Sequence, residues 1–270
     1  MMHDAPPTFR LTGLTYDYRP GPRGQSRPAL SGVTADIPAG SVGVLGLSGS
    51  GKTTLLNIFG LLAGGVPGPG QVTYTDRDGK PRDYATLKVS ERVALRRDEF
   101  GFVLQTAFLL PHLSCLENAA VPLAIAGLPY RDRTARVEAL FQAADPSGGL
   151  FALRHRRPRD VSGGERQRVA VLRAVAHDPR VLFADEPFSS LDPVNTQQIL
   201  RLLAKWQSGE LHPDRANWSR SLLLVSHSVR ETVAFTGGRC LILRAGAMIR
   251  NPNTPVSGEE EAIREMGGLG

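Results

Sequence analysis

Apolar positions along the chain change period several times, and the changes alternate. Residues 9–16, 32–37 and 42–45 are short β-like runs separated by Pro20-Gly21-Pro22 and Pro38-Ala39-Gly40, and they predict strands. Residues 55–62 then take helical spacing until Gly64-Gly65 and Pro67-Gly68-Pro69-Gly70 end it. From about residue 86 to 145 the pattern is mostly helical, apart from an apolar run at 100–104, and predicts a helical subdomain inserted into a sheet domain. Residues 181–184, 222–225 and 240–243 are apolar throughout, as strands buried on both faces of a parallel sheet are. Strand and helix alternate in this way from Thr8 to about Ile249 with no internal repeat, so the fold class is α/β. The polar stretch 209–219 reads as a loop. The residues after Asn251, with Glu259-Glu260-Glu261 among Pro and Gly, read as a loosely held tail.

Composition narrows the setting. A chain of 270 residues with 41% hydrophobic content can bury a core of ordinary size in one or two domains. No apolar run approaches the roughly 20 residues of a membrane-spanning helix, and Met1-Met2-His3-Asp4 does not open a secretory signal. The expected compartment is the cytoplasm. Cys115 and Cys240 lie far apart among apolar neighbours and read as reduced core residues. The formal charge of +6 is densest at Arg154, His155, Arg156, Arg157 and Arg159, which reads either as a solvated loop or as a contact with a partner subunit or anionic lipid face. No aromatic interleaving or recognition motif supports nucleic-acid binding.

Three short motifs carry chemistry. Gly46-Leu47-Ser48-Gly49-Ser50-Gly51-Lys52-Thr53 matches G-x-x-x-x-G-K-[ST], follows an apolar strand and opens a helix. Its glycines let backbone N–H groups turn toward a β-phosphate, and the helix start adds partial positive charge. Lys52 would reach the β and γ oxygens, Thr53 would place a hydroxyl on Mg²⁺, and Gly46, Ser48, Gly49, Ser50, Gly51 and Thr54 complete the phosphate-binding set. A second apolar strand ends in Asp185-Glu186: Asp185 suits the Mg²⁺ shell and Glu186 is free to polarise an attacking water. Ser162-Gly163-Gly164 sets a hydroxyl and two bare amides before a helical stretch at 165–177, a second anion-accepting helix start. An ordinary N-cap would explain the serine but not two glycines, since glycine is costly inside a helix. One nucleotide uses both starts only if they face each other, and two chains are the simplest way to arrange that.

The order of these motifs, with Ser190-Leu191-Asp192 and His227, resembles that of the nucleotide-binding subunits of ATP-binding cassette transporters over roughly residues 9–250. The resemblance implies a P-loop NTPase core at 8–85 and 178–250, with a mixed sheet flanked by helices and an antiparallel β subdomain. It also implies a helical signature subdomain inserted at about 86–177; the whole of 8–250 is one ATPase domain, and 251–270 is the tail. In that family two subunits sandwich two ATP molecules, each between one P-loop and the other subunit's signature motif. By resemblance, Gln105 is the Q-loop glutamine that senses Mg²⁺ and the attacking water, and Asp192 is the aspartate that communicates across the dimer. His227 is then the switch histidine that contacts the γ-phosphate and orients Glu186, and Tyr18 is the aromatic that stacks on adenine, with Tyr16 a near competitor.

Phe100-Gly101-Phe102-Val103-Leu104-Gln105, Leu109-Leu110-Pro111-His112-Leu113 and Glu117-Asn118-Ala119-Ala120-Val121-Pro122-Leu123 are similar to the ATPases of lipoprotein release and macrolide efflux. This implies an ATP- and Mg²⁺-dependent ATPase, peripheral on the cytoplasmic face, driving export or extraction by a separate membrane permease. The motif set is complete in this one chain, so two copies could make two competent sites and a homodimer is the expected pairing. Phe108, Leu109 and Leu110 would form the permease socket or, equally, helical-subdomain core. Pro146-Ser147-Gly148-Gly149 and the long 209–219 connection depart from the family pattern without touching the chemistry. An importer ATPase and a non-transport ATPase of the same family are the alternatives, and an unrelated P-loop kinase would leave residues 162–168 unexplained.

Overall fold

The computed structural model describes residues 6–18 and 28–267. The chain divides into two compact units, one made of residues up to 96 and from 221 onward, the other of 97–220. Along the first run β1 (Phe9–Tyr16), β2 (Leu30–Ile37), β3 (Gly40–Leu45), α1 (Lys52–Phe59), β4 (Val72–Thr75), β5 (Pro81–Asp83) and α2 (Val89–Asp98). The second unit holds β6 (Phe100–Val103), α3 (Cys115–Ile125), α4 (Tyr130–Ala144), α5 (Gly149–Ala152), α6 (Gly163–Val175), β7 (Val181–Asp185) and α7 (Pro193–Ser208). The chain then returns to the first with β8 (Ser221–Val225), α8 (Val229–Thr236), β9 (Cys240–Arg244), β10 (Ala247–Arg250) and α9 (Glu259–Met266).

In the first unit, β1 pairs antiparallel with both β2 and β4, and β4 with β5. Alternation along β1 buries Phe9, Leu11 and Leu14 on one face and leaves Arg10 and Thr12 exposed, as a half-buried strand requires. Phe9 packs 4.4 Å from the Phe59 ring and 5.1 Å from Tyr74, while Tyr84 donates from its hydroxyl to Phe59 O at 2.6 Å, so the end of α1 is held against this sheet. β3 lies parallel between β8 and β9, and β10 adds antiparallel to β9. Residues 41–45 and 221–225 are all buried, which is why these strands read as unbroken apolar runs.

The second unit pairs β6 parallel with β7 and packs the helices around them. Phe102 stacks on Phe183, and Phe100 meets the same ring edge-on. Asn118, fully buried on α3, accepts from Leu110 N and donates to the carbonyls of Leu110, Leu113 and Ser114, so one side chain shapes the loop entering the helix. Lys205 near the end of α7 donates to the last carbonyls of α4, Ala143 O and Ala144 O, where a cation meets a helix C-terminus.

Two expectations about peripheral segments change. The 209–219 stretch is a polar loop only in part: Leu211 and His212 are buried, and His212 Nε2 lies 2.9 Å from Val175 O. At its end Arg220 makes a bidentate, fully buried pair with Asp178, a geometry in which removing either partner costs about 3–5 kcal/mol. The segment after Asn251, read as loosely held, carries α9. Ala262 and Met266 join Leu45, Val233, Ile242 and Val256 in one cluster, and Arg250 bonds both Glu261 and Glu265. The acidic run that looked like tail composition is the first turn of that helix, where negative charge suits the dipole.

Candidate functional site

The first unit carries the P-loop, Tyr18 and His227. β3 delivers the chain to Gly46, whose φ of 152° and tight surroundings admit no side chain: a Cβ there would run into Leu243 O and Ser50 Oγ. The loop then reaches Gly51, which starts α1 from φ 104° with no side-chain cap and no acid in the first turn. The first amides of α1 thus meet no capping side chain. Lys52 is buried and folds back, its Nζ donating to Gly46 O at 2.8 Å and Leu47 O at 3.1 Å. Ser50 Oγ is buried with no hydrogen-bond partner, while Ser48, Gly49 and Thr53 are exposed. A bare-backbone turn, an unanswered buried hydroxyl and uncapped helix amides are what a phosphate would complete.

The two tyrosines separate cleanly. Tyr16 is buried, and its hydroxyl accepts from Gly65 N at 3.1 Å, a core role. Tyr18 is 56% exposed and donates to Thr54 Oγ1 at 3.2 Å, which sets its ring beside the first turn of α1. His227 is exposed in the turn after β8, where Ser228 N donates to Ser226 Oγ at 3.0 Å and α8 begins.

The second unit carries Gln105, Ser162-Gly163-Gly164, Asp185, Glu186 and Asp192. β7, buried from Val181 to Ala184, ends at half-buried Asp185. Glu186 follows, buried, with φ 50°, a left-handed conformation that costs a non-glycine residue about 1–3 kcal/mol. Ser162 caps α6 in a reciprocal box: its Oγ accepts from Glu165 N at 3.3 Å, and Glu165 Oε2 accepts from Ser162 N at 2.7 Å. That bond from Ser162 N, opposed by partial burial, holds the Glu165 carboxyl below its ordinary range. Asp192 caps α7, with Pro193 in the first position.

A cavity of about 530 Å³ in this unit is lined by Gln105, Phe108, Gly163, Gln167, Phe188 and Leu191 among others, and so brings the glutamine turn, the start of α6 and the approach to Asp192 to one space. Sequence reasoning assigned no role to two residues that organise it. Gln167 donates to Leu104 O at 2.9 Å, and Arg173 donates to Ala107 O and Phe108 O at 2.7 and 2.8 Å, so α6 holds the segment around Gln105 by its backbone. The available signal was polar residues on a helix whose neighbours Val169, Ala170, Val171 and Leu172 are all buried. Phe108, at φ 42°, is 66% exposed and Leu110 39%, which removes the reading of these residues as subdomain core.

As to a metal, Thr53 in the first unit offers an exposed hydroxyl, and in the second unit Gln105 offers an amide oxygen and Asp185 one carboxylate, each a hard oxygen donor of the kind Mg²⁺ accepts beside water and phosphate. Among the described residues there is no group of three or more His, Cys, Asp or Glu that could hold a metal, and no helix long and apolar enough to cross a membrane.

The chain is similar to known proteins in both sequence and fold. The family pattern described as ABC transporter matches residues 30–189. The lipoprotein-releasing system ATP-binding protein LolD of Aquifex aeolicus is 38% identical over 75% of this chain and 86% of its own length. The macrolide export ATP-binding/permease protein MacB of Chromobacterium violaceum is 34% identical over 90% of the chain, which spans only 35% of MacB. The methionine import ATP-binding protein MetN 2 of Burkholderia mallei is 42% identical over 73% of the chain and 46% of its own length. Among solved structures, the dimeric post-hydrolysis state of the ATP-binding cassette MJ0796 bound to ADP and Pi superposes with a TM-score of 0.72 at 29% identity, covering 90% of this chain and 97% of that one. With a family pattern over more than half of its residues and a relative matched over most of both lengths, the chain belongs to the ABC transporter family.

Proposed function

We propose that the chain is the ATPase subunit that powers export or extraction by a separate membrane permease, working at the cytoplasmic face of the membrane as one of a pair. The observation that carries this reading is the P-loop itself: a buried strand leading into a bare turn, an unanswered Ser50 hydroxyl and an uncapped helix start. ATP phosphates would take the amides of residues 48–53, with Lys52 exchanging its backbone carbonyls for β and γ oxygens. Tyr18, exposed beside the first turn of α1, would stack on the base. Mg²⁺, held by Thr53, Asp185 and Gln105, would supply charge neutralisation at the phosphates. Glu186, at the end of its rigid strand, serves as general base, with His227 orienting it and contacting the γ-phosphate. Ser162, Gly163 and Gly164 of one copy would face the nucleotide of the other, with Asp192 beside them, which the dimeric state of MJ0796 supports. Exposed Phe108 and Leu110 are then the apolar surface offered to the permease.

The LolD and MacB names favour export or extraction. Import keeps one specific support, the 42% identity of MetN 2. Identification of the membrane protein that co-purifies decides between them. For the ATPase reading, Glu186→Gln is expected to keep ATP binding, lower turnover by about a hundredfold or more, and accumulate an ATP-bound dimer on a sizing column. A variant that binds ATP and stays monomeric, or that turns over as fast as the parent, counts against it.

A further inference from the structure

Within the second unit, one side chain touches two of the segments assigned to the nucleotide cycle. Asn195 occupies the third position of α7, where its backbone N–H donates to Asp192 Oδ1 at 2.9 Å and its Nδ2 donates to Asp192 Oδ2 at 2.5 Å. Both oxygens of the capping carboxylate are held in this way, one by a helix amide and one by a side chain. The same side-chain amide lies over the first turn of α6. A Cβ built on Gly164 would fall inside van der Waals contact with Asn195 Oδ1 and Cγ, and 2.9 Å from Nδ2. Those three nearest atoms all lie beyond the asparagine Cβ, and no backbone atom is among them. Gly164 is buried in the second position of α6 and does not have a positive φ. Its missing side chain answers a contact, then, and not a backbone torsion.

We propose that Asn195 is a positioning residue that locks the first turn of α6 to Asp192, and that position 164 is glycine because the Asn195 amide fills its Cβ space. The proposal rests on reading Ser162-Gly163-Gly164 and Asp192 as parts of the nucleotide cycle, and it adds an intramolecular link between them. A short, planar side chain, bonded on one edge to the carboxylate and packed on the other against a bare Cα, passes a shift of either segment to the other with little slack. If glycine is present instead so that a nucleotide can approach bare backbone, removing the asparagine amide does nothing for a larger residue at 164.

The test is a double-mutant cycle in the full chain: parent, Gly164→Ala, Asn195→Ala and the double variant, each measured for melting temperature without nucleotide and for ATP turnover. Gly164→Ala is expected to lower the melting temperature by about 4 °C or more through overpacking. Its turnover should fall about tenfold or more through displacement of the α6 start. Asn195→Ala should lower kcat while KM for ATP stays unchanged, the mark of a lost alignment and not of lost binding. The double variant should regain what Gly164→Ala lost and match Asn195→Ala. A double variant as impaired as Gly164→Ala overturns the packing link, and an unchanged kcat in Asn195→Ala overturns the positioning role. The melting arm needs no nucleotide: if the parent chain hydrolyses no ATP, the ATPase reading fails by itself, while the thermal cycle still decides the Gly164–Asn195 contact.

Discussion

α1 opens from Gly51 in a left-handed conformation, with no side-chain cap and no acid in its first turn; α6 opens from Ser162 with a complete capping box closed by Glu165. Both starts are glycine-rich, and from sequence they look like two versions of one anion site. Their electrostatics differ. The amides of α1 keep their partial positive charge for a group outside the chain, and the buried Ser50 hydroxyl in the same loop is unanswered. In α6 one amide is already taken by Ser162 Oγ, and Glu165 sets a negative charge where the dipole is positive. A start of the first kind can receive the full charge of a phosphate chain. A start of the second kind is stable without a ligand and suits a nucleotide that something else already holds.

The bare turn before α1 is most sensitive at Gly46. Gly46→Ala forces a side chain into Leu243 O and Ser50 Oγ from a φ of 152°. The cost is expected at about 1–3 kcal/mol for the torsion and a similar amount for overpacking. Titration with a fluorescent ATP analogue should show affinity lost by far more than tenfold, roughly. Retained affinity would mean that the bare turn is not what receives the phosphate.

Thr53→Glu sharpens the contrast by giving α1 the charge that α6 already has. Thr53 is exposed in the first turn, so a carboxylate there should leave the nucleotide-free protein as stable as before, or more stable by about 0.3–1 kcal/mol. Binding of ATP without Mg²⁺, which leaves any metal role of Thr53 out of the measurement, should weaken by at least about tenfold through like-charge repulsion. Equal affinity in the two proteins would remove the distinction between the helix starts. Ser162→Ala acts in the other direction: it opens the box on α6 and should cost about 1 kcal/mol, read as a fall of about 2–4 °C in melting temperature.

The two starts also differ in how far sequence could take them. The P-loop was legible because phosphate chemistry demands its residues in one contiguous run after a strand, and residues 42–45 supplied the strand. The buried strands at 181–184 and 222–225 were legible for a similar reason, since burial on both faces leaves no polar alternation to misread. What surrounds α6 was not. Gln167, Arg173 and Asn195 act on Leu104, Ala107, Phe108 and Gly164, partners set by how helices pack and not by spacing along the chain. Sequence favoured Tyr18 over Tyr16 only narrowly for the same reason: both are two-faced aromatics close together at the end of β1, and packing shows that Tyr16 is buried while the Tyr18 ring is left outside. In α9, composition misled. Glu259, Glu260 and Glu261 looked like solvated tail, whereas Ala262 and Met266 one turn apart already marked a buried stripe.

The smallest expected effect isolates the charge that separates the two starts. Glu165→Gln keeps an oxygen to accept from Ser162 N and removes only the negative charge. In the folded chain the Glu165 carboxyl is held below its ordinary value, first by the Ser162 backbone bond and then, against partial burial, by the Ser162 side chain and Arg168. A depressed folded value means that the ionised group stabilises the fold above its ordinary, unfolded value, and that this contribution fades as pH falls through the folded value. At neutral pH, then, the parent should melt slightly above Glu165→Gln, and the gap should close on acidification below about pH 4 as the carboxyl takes up its proton. Because the group is partly solvated, the gap should be small at moderate salt and should shrink further as salt is raised. A gap that stays constant from neutral to acid pH would show that Glu165 supports α6 through its hydrogen bond alone, leaving α6 as free of fixed negative charge in its effect as α1 and reducing their difference to the presence of a cap.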